Sequence, residues 1–98
     1  MDRNGYSDSL LSQEVRCYWC GRTSGKIDRH EIFHGMAYRQ KSKRLGCWVN
    51  LCSECHRQLH NTKPEMDDEL KKEAQNAAMN YYGWSTREFI AEFGKNYL

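Results

Sequence analysis

Apolar positions in this 98-residue chain occur in short groups, with strand-like alternation in the first half and helical spacing in the second. Residues 1–14 are polar, with Gly5 among several Ser, Asn and Asp, and predict a flexible N-terminal arm. Ile27 to Phe33 alternates enough for a short strand that Gly35 ends, and Cys47-Trp48-Val49-Asn50-Leu51 is β-prone and reads as a second. Between them, Tyr38 to Leu45 is a dense basic stretch closed by Gly46, which predicts an exposed loop or a short helical turn. Ser53 is positioned to cap a helix that carries Cys55, His56, Leu59 and His60 and finishes near Asn61. The single proline, Pro64, divides the chain. After it, Glu65, Asp67, Asp68 and Glu69 place acid in the first turn of a helix, where the macrodipole favours it. Leu70, Ala74, Ala77, Ala78 and Tyr81 give that helix an apolar stripe as far as Gly83. Ser85-Thr86-Arg87-Glu88 is a capping box opening a last helix, with Phe89, Ile90 and Phe93 on its packing side and Gly94 as its stop. The expected class is a small α+β fold whose C-terminal helices support the strand-bearing part.

Length changes this picture, because a single domain of this size is marginal unless something staples its core. The cysteines supply a staple. Four of the five fall in two Cys-x-x-Cys pairs, Cys17 with Cys20 and Cys52 with Cys55, separated by 31 residues. A two-residue gap lets both thiolates of a pair reach one tetrahedral ion, and four thiolates leave no open position for catalysis. The expectation is a structural Zn2+ at Cys17, Cys20, Cys52 and Cys55, worth roughly 10–16 kcal/mol of apparent binding free energy if zinc-finger peptides are a guide. Metal-bound thiolates suit a reducing compartment better than a secreted disulfide framework does. Residues 1–14 contain no apolar run, and no stretch approaches the roughly 20 apolar residues of a membrane span. Cys47, the unpaired cysteine, reads as a small buried hydrophobe.

Charge adds a direction. The net charge of +2 conceals a segment from Val15 to Lys63 in which ten Lys and Arg face only Asp28, Glu31 and Glu54. The flanking segments are both net acidic. A basic footprint on the cysteine-bearing part fits a polyanion.

Imidazoles complete the candidate chemistry. His30-Glu31 lies towards the end of the first predicted strand, and His56 and His60 are four apart, on one face of the predicted helix. Taken in order, Cys17-x-x-Cys20, Arg29-His30-Glu31-Ile32-Phe33, and Leu51-Cys52-Ser53-Glu54-Cys55-His56 with His60 resemble the HNH endonucleases, or His-Me finger nucleases, in particular the small zinc-knuckle HNH proteins of phages. The resemblance covers residues 15–62 or so and implies a ββα-metal finger over 15–63, with residues 64–98 packing on it as helices. It further implies a catalytic divalent metal, Mg2+, Mn2+, Ni2+ or Zn2+, held by His30, His56 and His60. Glu31 then falls where the family's general-base His is expected, so His30 and Glu31 are the implied catalytic pair. The alternative register makes His30 the base and leaves the metal to Glu31, His56 and His60. His34 is a further candidate, on the same strand face as His30 and Ile32. The family's middle Asn finds only Asn50, two residues before Cys52 and displaced from the usual position nearer Cys47.

The implied function is metal-dependent hydrolysis of DNA phosphodiesters in the cytoplasm of a bacterial or phage-infected cell. Arg39, Lys41, Lys43 and Arg44, with Arg29 and Arg57, would neutralise phosphates, which carries no base code and predicts little sequence specificity. DNA is the expected partner, with a phage or bacterial protein as a second and no membrane. A nuclease fold kept as an inactive zinc-finger DNA-binding module is the alternative, followed by a zinc-ribbon interaction adaptor.

Overall fold

A computed structural model describes residues 2–98. The elements follow in the order β1 (Ile27–Glu31), α1 (Arg39–Leu45), β2 (Trp48–Cys52), α2 (Ser53–Asn61), α3 (Pro64–Tyr82) and α4 (Thr86–Phe93). The architecture is therefore a small α+β fold with a two-stranded antiparallel sheet and four helices among the described residues.

The sheet register organises everything else. Asp28 pairs with Leu51 and His30 with Val49, while Arg29 pairs with Asn50 and Glu31 with Trp48. Directly opposed residues share a face and successive residues alternate, so Asp28 and His30 point one way and Arg29 and Glu31 the other. Helix α2 covers the first face. All five β2 residues are buried, which a two-stranded sheet achieves only if its second face is covered as well.

That cover is the N-terminal segment, expected from its polarity to be a flexible arm and instead packed along the hairpin. Trp48 Nε1 donates to Ser7 O at 2.8 Å, the Ser9 hydroxyl donates to Trp48 O, and Leu10 N donates to Gly46 O at 2.9 Å. Tyr6 meets the Trp48 ring edge-on, with centroids 5.3 Å apart. Gly46 is indispensable to this packing. It is the left-handed cap of α1 (φ 79°), and a Cβ there would lie 2.5 Å from Asp8 O. Backbone and side-chain hydrogen bonds, with one aromatic contact, anchor the segment, and they leave no apolar period to read.

The basic stretch from Arg39 to Leu45 is a two-turn helix, the helical one of its two expected forms. Its buried Ser42 accepts from Phe33 N at 3.1 Å and donates to Phe33 O at 3.0 Å, which locks α1 to the chain just beyond β1. Phe33 itself enters the aromatic core beside Phe93, Tyr97 and Phe89, at centroid distances of 4.4, 5.2 and 5.3 Å.

Helix α3 begins with Pro64 in its first turn and ends at a left-handed Gly83. Its buried stripe is Met66, Leu70, Ala74 and Ala78. Steps of four residues precess round the helix, so the stripe continues to the half-buried Tyr82, whose hydroxyl donates to Leu45 O at 2.8 Å, and leaves Tyr81 70% exposed. The expected place of Tyr81 in the stripe is thus corrected, as is that of Ile90, which is 38% exposed while Phe89 and Phe93 are buried. The capping box of α4 is formed, with Ser85 and Glu88 each accepting the other's backbone N–H. Buried Gln75 holds the C-terminal tail, donating to Asn96 Oδ1 at 2.8 Å and accepting from Tyr97 N at 2.7 Å. No helix is long and apolar enough to cross a membrane among the described residues.

Candidate metal centres

The two cysteine pairs converge. The Sγ atoms of Cys17, Cys20, Cys52 and Cys55 all lie within 4.8 Å of one another, three of the residues buried and Cys20 exposed, so they can hold one metal ion. The first pair sits on a turn closed by Gly21 N to Cys17 O at 2.9 Å and docked to β2 by Tyr18 N to Asn50 O at 2.7 Å. The second straddles the junction of β2 and α2. Cys52, not Ser53, is the N-cap, its Sγ accepting from Cys55 N at 3.4 Å. Cys20 N donates to Cys17 Sγ at the same distance. These amide-to-sulfur contacts stabilise thiolates. For Cys17, burial raises the thiol, but the backbone donors at Cys20, Cys52 and Trp19 outweigh it and bring the group down to about 6. Cys55 moves the opposite way, raised by burial and by hydrogen bonds with the other three thiols. Thiolates this close repel, which is why one thiol holds its proton, and a divalent cation is the natural compensation. Cys47 lies apart, and burial pushes it up to about 12, which leaves it inert.

A second cluster lies where α2 crosses the sheet. Nitrogens of His30, His56 and His60 also fall within 4.8 Å of one another. Each ring sits 5.0–5.6 Å from the other two, centroid to centroid. His30 is 3% exposed, and its Nε2 is the one buried side-chain polar atom without a hydrogen bond among the described residues. Burial, then the neighbouring His56, His34 and His60, push His30 down to about 3, so it stays neutral at physiological pH. An orphaned neutral imidazole facing two more is a donor set that fits a divalent transition ion. His60 is also held below its ordinary value, by burial first and then by His56 and His34.

Asp28 gives the cluster a support that sequence reading missed. Its Oδ2 lies 3.3 Å from His56 Nδ1, which orients that ring with Nε2 free. The signal was available, because Asp28 is two residues before His30 and so shares its strand face. Asp28→Ala is expected to weaken metal binding at the histidine cluster by about 10–100-fold, measured by titration of Co2+ or Mn2+ into protein with its cysteine site filled.

Glu31 falls on the other face of the sheet. Tyr6 donates its hydroxyl to Glu31 Oε2 at 2.6 Å, and Arg39 Nε lies 3.7 Å from Oε1. Burial and this hydrogen bond push the Tyr6 phenol well above its usual range. Asn50 also faces away from the histidines, donating from Nδ2 to Glu14 O at 3.0 Å. His34 is placed close to them: its ring is 5.8 Å from those of His30 and His60, and its Nε2 is 3.2 Å from Asp67 Oδ1. Burial raises the Asp67 carboxyl, but hydrogen bonds with Lys71 and His34 outweigh it and hold it below its usual range.

These groups line a cavity of about 230 Å³ formed by Arg29, His30, Glu31, His34, Arg39, His56 and His60. A wider groove of about 790 Å³, lined by Lys26, Arg29, Lys43 and His56 among others, adjoins it. Helix geometry divides the predicted basic residues. Arg29 stacks over Tyr6 at 4.5 Å and pairs with Asp2 at 2.7 Å, and Lys43 lies 5.0 Å from the Tyr6 ring. Lys41 turns towards α4, where its Nζ donates to Glu92 O at 2.9 Å. Arg57 pairs with Glu54 on its own helix, and Arg44 lines neither the cavity nor the groove. Comparison with protein-family models, with curated proteins and with solved structures finds no match.

Proposed function

We propose that the protein is a metal-dependent DNA endonuclease of the HNH type, with a structural Zn2+ in the four-cysteine cluster and a catalytic divalent ion at His30, His56 and His60. The single observation that carries this reading is the unpartnered, buried Nε2 of His30 beside two α2 imidazoles, at the floor of a cavity rimmed by Arg29 and Arg39.

When bound, the ion supplies Lewis-acid stabilisation of charge on the phosphate and the leaving oxygen. The chain's own residues do the remaining work. Asp28 fixes the ring of His56, and the sheet fixes His30, so two of the three nitrogens are preorganised. Arg29 and Arg39 offer guanidinium donors for phosphate oxygens at the cavity, and Lys26 and Lys43 extend positive charge along the adjoining groove. No helix is placed as a reader of base edges by these contacts, which fits backbone recognition with little sequence preference.

One observation favours a second reading, an inactive DNA-binding module: Glu31 is already engaged by Tyr6 and Arg39. Nicking of supercoiled plasmid by zinc-loaded protein separates the two. Cleavage with Mg2+, Mn2+, Ni2+ or Co2+ that stops on chelation supports the endonuclease. Salt-sensitive DNA binding with no cleavage in any of these metals supports the inactive module.

A further inference from the structure

We infer that His34, oriented by Asp67 of α3, is the side chain that takes the proton from the attacking water, the role in which the family resemblance would place Glu31 or His30. This rests on the endonuclease reading and names a residue within that same site. Three placements carry it. His34 lines the cavity that holds His30, His56 and His60, yet it is not one of the three residues whose nitrogens cluster within 4.8 Å. It is therefore beside the metal set without belonging to it. Asp67 Oδ1 lies 3.2 Å from His34 Nε2, while Asp67 Oδ2 is held by Lys71 Nζ at 2.8 Å. An ionised carboxylate anchored this way accepts a hydrogen bond from Nε2–H and leaves Nδ1 as the ring's lone-pair acceptor, the same logic by which a carboxylate sets the tautomer of a catalytic imidazole. Glu31 also lines that cavity, but one of its oxygens accepts the Tyr6 hydroxyl, the other faces Arg39, and strand alternation starts its side chain from the sheet face opposite His30. Its work is to tie the N-terminal segment and α1 to β1.

The step balances without a further reactant. A water O–H bond breaks and its proton passes to His34 Nδ1 as the oxygen forms the new bond to phosphorus. The bond from phosphorus to one deoxyribose oxygen breaks, and that oxygen leaves with the electron pair and takes a proton from solvent. Asp67 balances the positive charge that His34 then carries. Asp67 thereby gives α3 a positioning role in the chemistry, where its sequence suggested support alone.

Plasmid nicking, metal titration and DNA binding on His34→Gln, Asp67→Asn and Glu31→Gln test this. His34→Gln is expected to lower kcat by roughly 10²–10⁴-fold, with metal affinity and DNA affinity at wild-type values. Glu31→Gln is expected to cost a smaller factor. Asp67→Asn, read by ring 15N shifts, is expected to move His34 away from the Nε2–H tautomer and to lower kcat with it. An active wild type with His34→Gln unimpaired overturns the assignment alone. So does a His34→Gln protein whose KM rises at unchanged kcat, which would make His34 a phosphate contact, or one that loses metal, which would make it a ligand. A wild type that cleaves nothing overturns the endonuclease reading itself, and this assignment falls with it. Circular dichroism identifies any variant that fails to fold, and Asp67→Asn then decides through the tautomer and kcat.

Discussion

Removal of the ion from the four-cysteine cluster is expected to unfold the protein. Cys17→Ser, or a chelator strong enough to strip zinc, should abolish the cooperative thermal transition and most of the helical circular dichroism. The reason is the position of the cluster. Cys17 and Cys20 hold the segment that docks Tyr18 on β2, and Cys52 and Cys55 hold the joint between β2 and α2. Without the ion, three buried sulfurs lose their compensation at the centre of the core, which itself includes Cys17, Cys52 and Cys55. Structural zinc contributes roughly 10–16 kcal/mol of apparent binding free energy, and a small domain has about 5–15 kcal/mol of net stability. The first is comparable to or larger than the whole of the second. A melting curve unchanged after verified zinc removal would refute the structural role.

His30→Ala is expected to abolish cleavage while leaving the zinc-loaded fold intact. Metal coordination of a phosphate supplies several kcal/mol of transition-state stabilisation, so loss of the buried ligand corresponds to about 10³-fold or more in rate. The fold should survive, because His30 Nε2 makes no hydrogen bond that the mutation would break. The measurements are the single-turnover nicking rate and the number of metal ions bound per chain. Two ions in the wild type and one in His30→Ala is the expected count. A variant that nicks at the wild-type rate would remove the histidine cluster from the chemistry. Paired with the cysteine result, the two experiments separate an ion that folds the chain from one that works in it.

Local signals in the chain were good guides wherever one residue or one short period did the work. The glycine stops at Gly46, Gly83 and Gly94, the proline start of α3 and the Ser85–Glu88 capping box all act where they stand in sequence. The cysteine spacing likewise marked the four-cysteine cluster, because a Cys-x-x-Cys pair closes over a few bonds. Signals failed where a partner came from elsewhere in the chain. Tyr6, Ser7 and Ser9 look like loop residues, yet they hold the second face of the hairpin through backbone and hydroxyl contacts. The four cations of Arg39–Arg44 look like one patch, but a helix distributes them around its axis, and Lys41 is drawn to Glu92.

The candidate site divides along the same line. Spacing alone put His56 and His60 on one helical face, and the same reasoning, not applied to Asp28, would have set it on the strand face of His30, since the periods of helix and strand are properties of the backbone. Only the tertiary structure decided that these faces meet, that Tyr6 and Arg39 occupy Glu31, and that Asp67 reaches His34 from 33 positions along the chain. Those facts depend on how α2, α3 and the N-terminal segment pack around one hairpin, and packing at long range leaves no period in the sequence for any single segment to display.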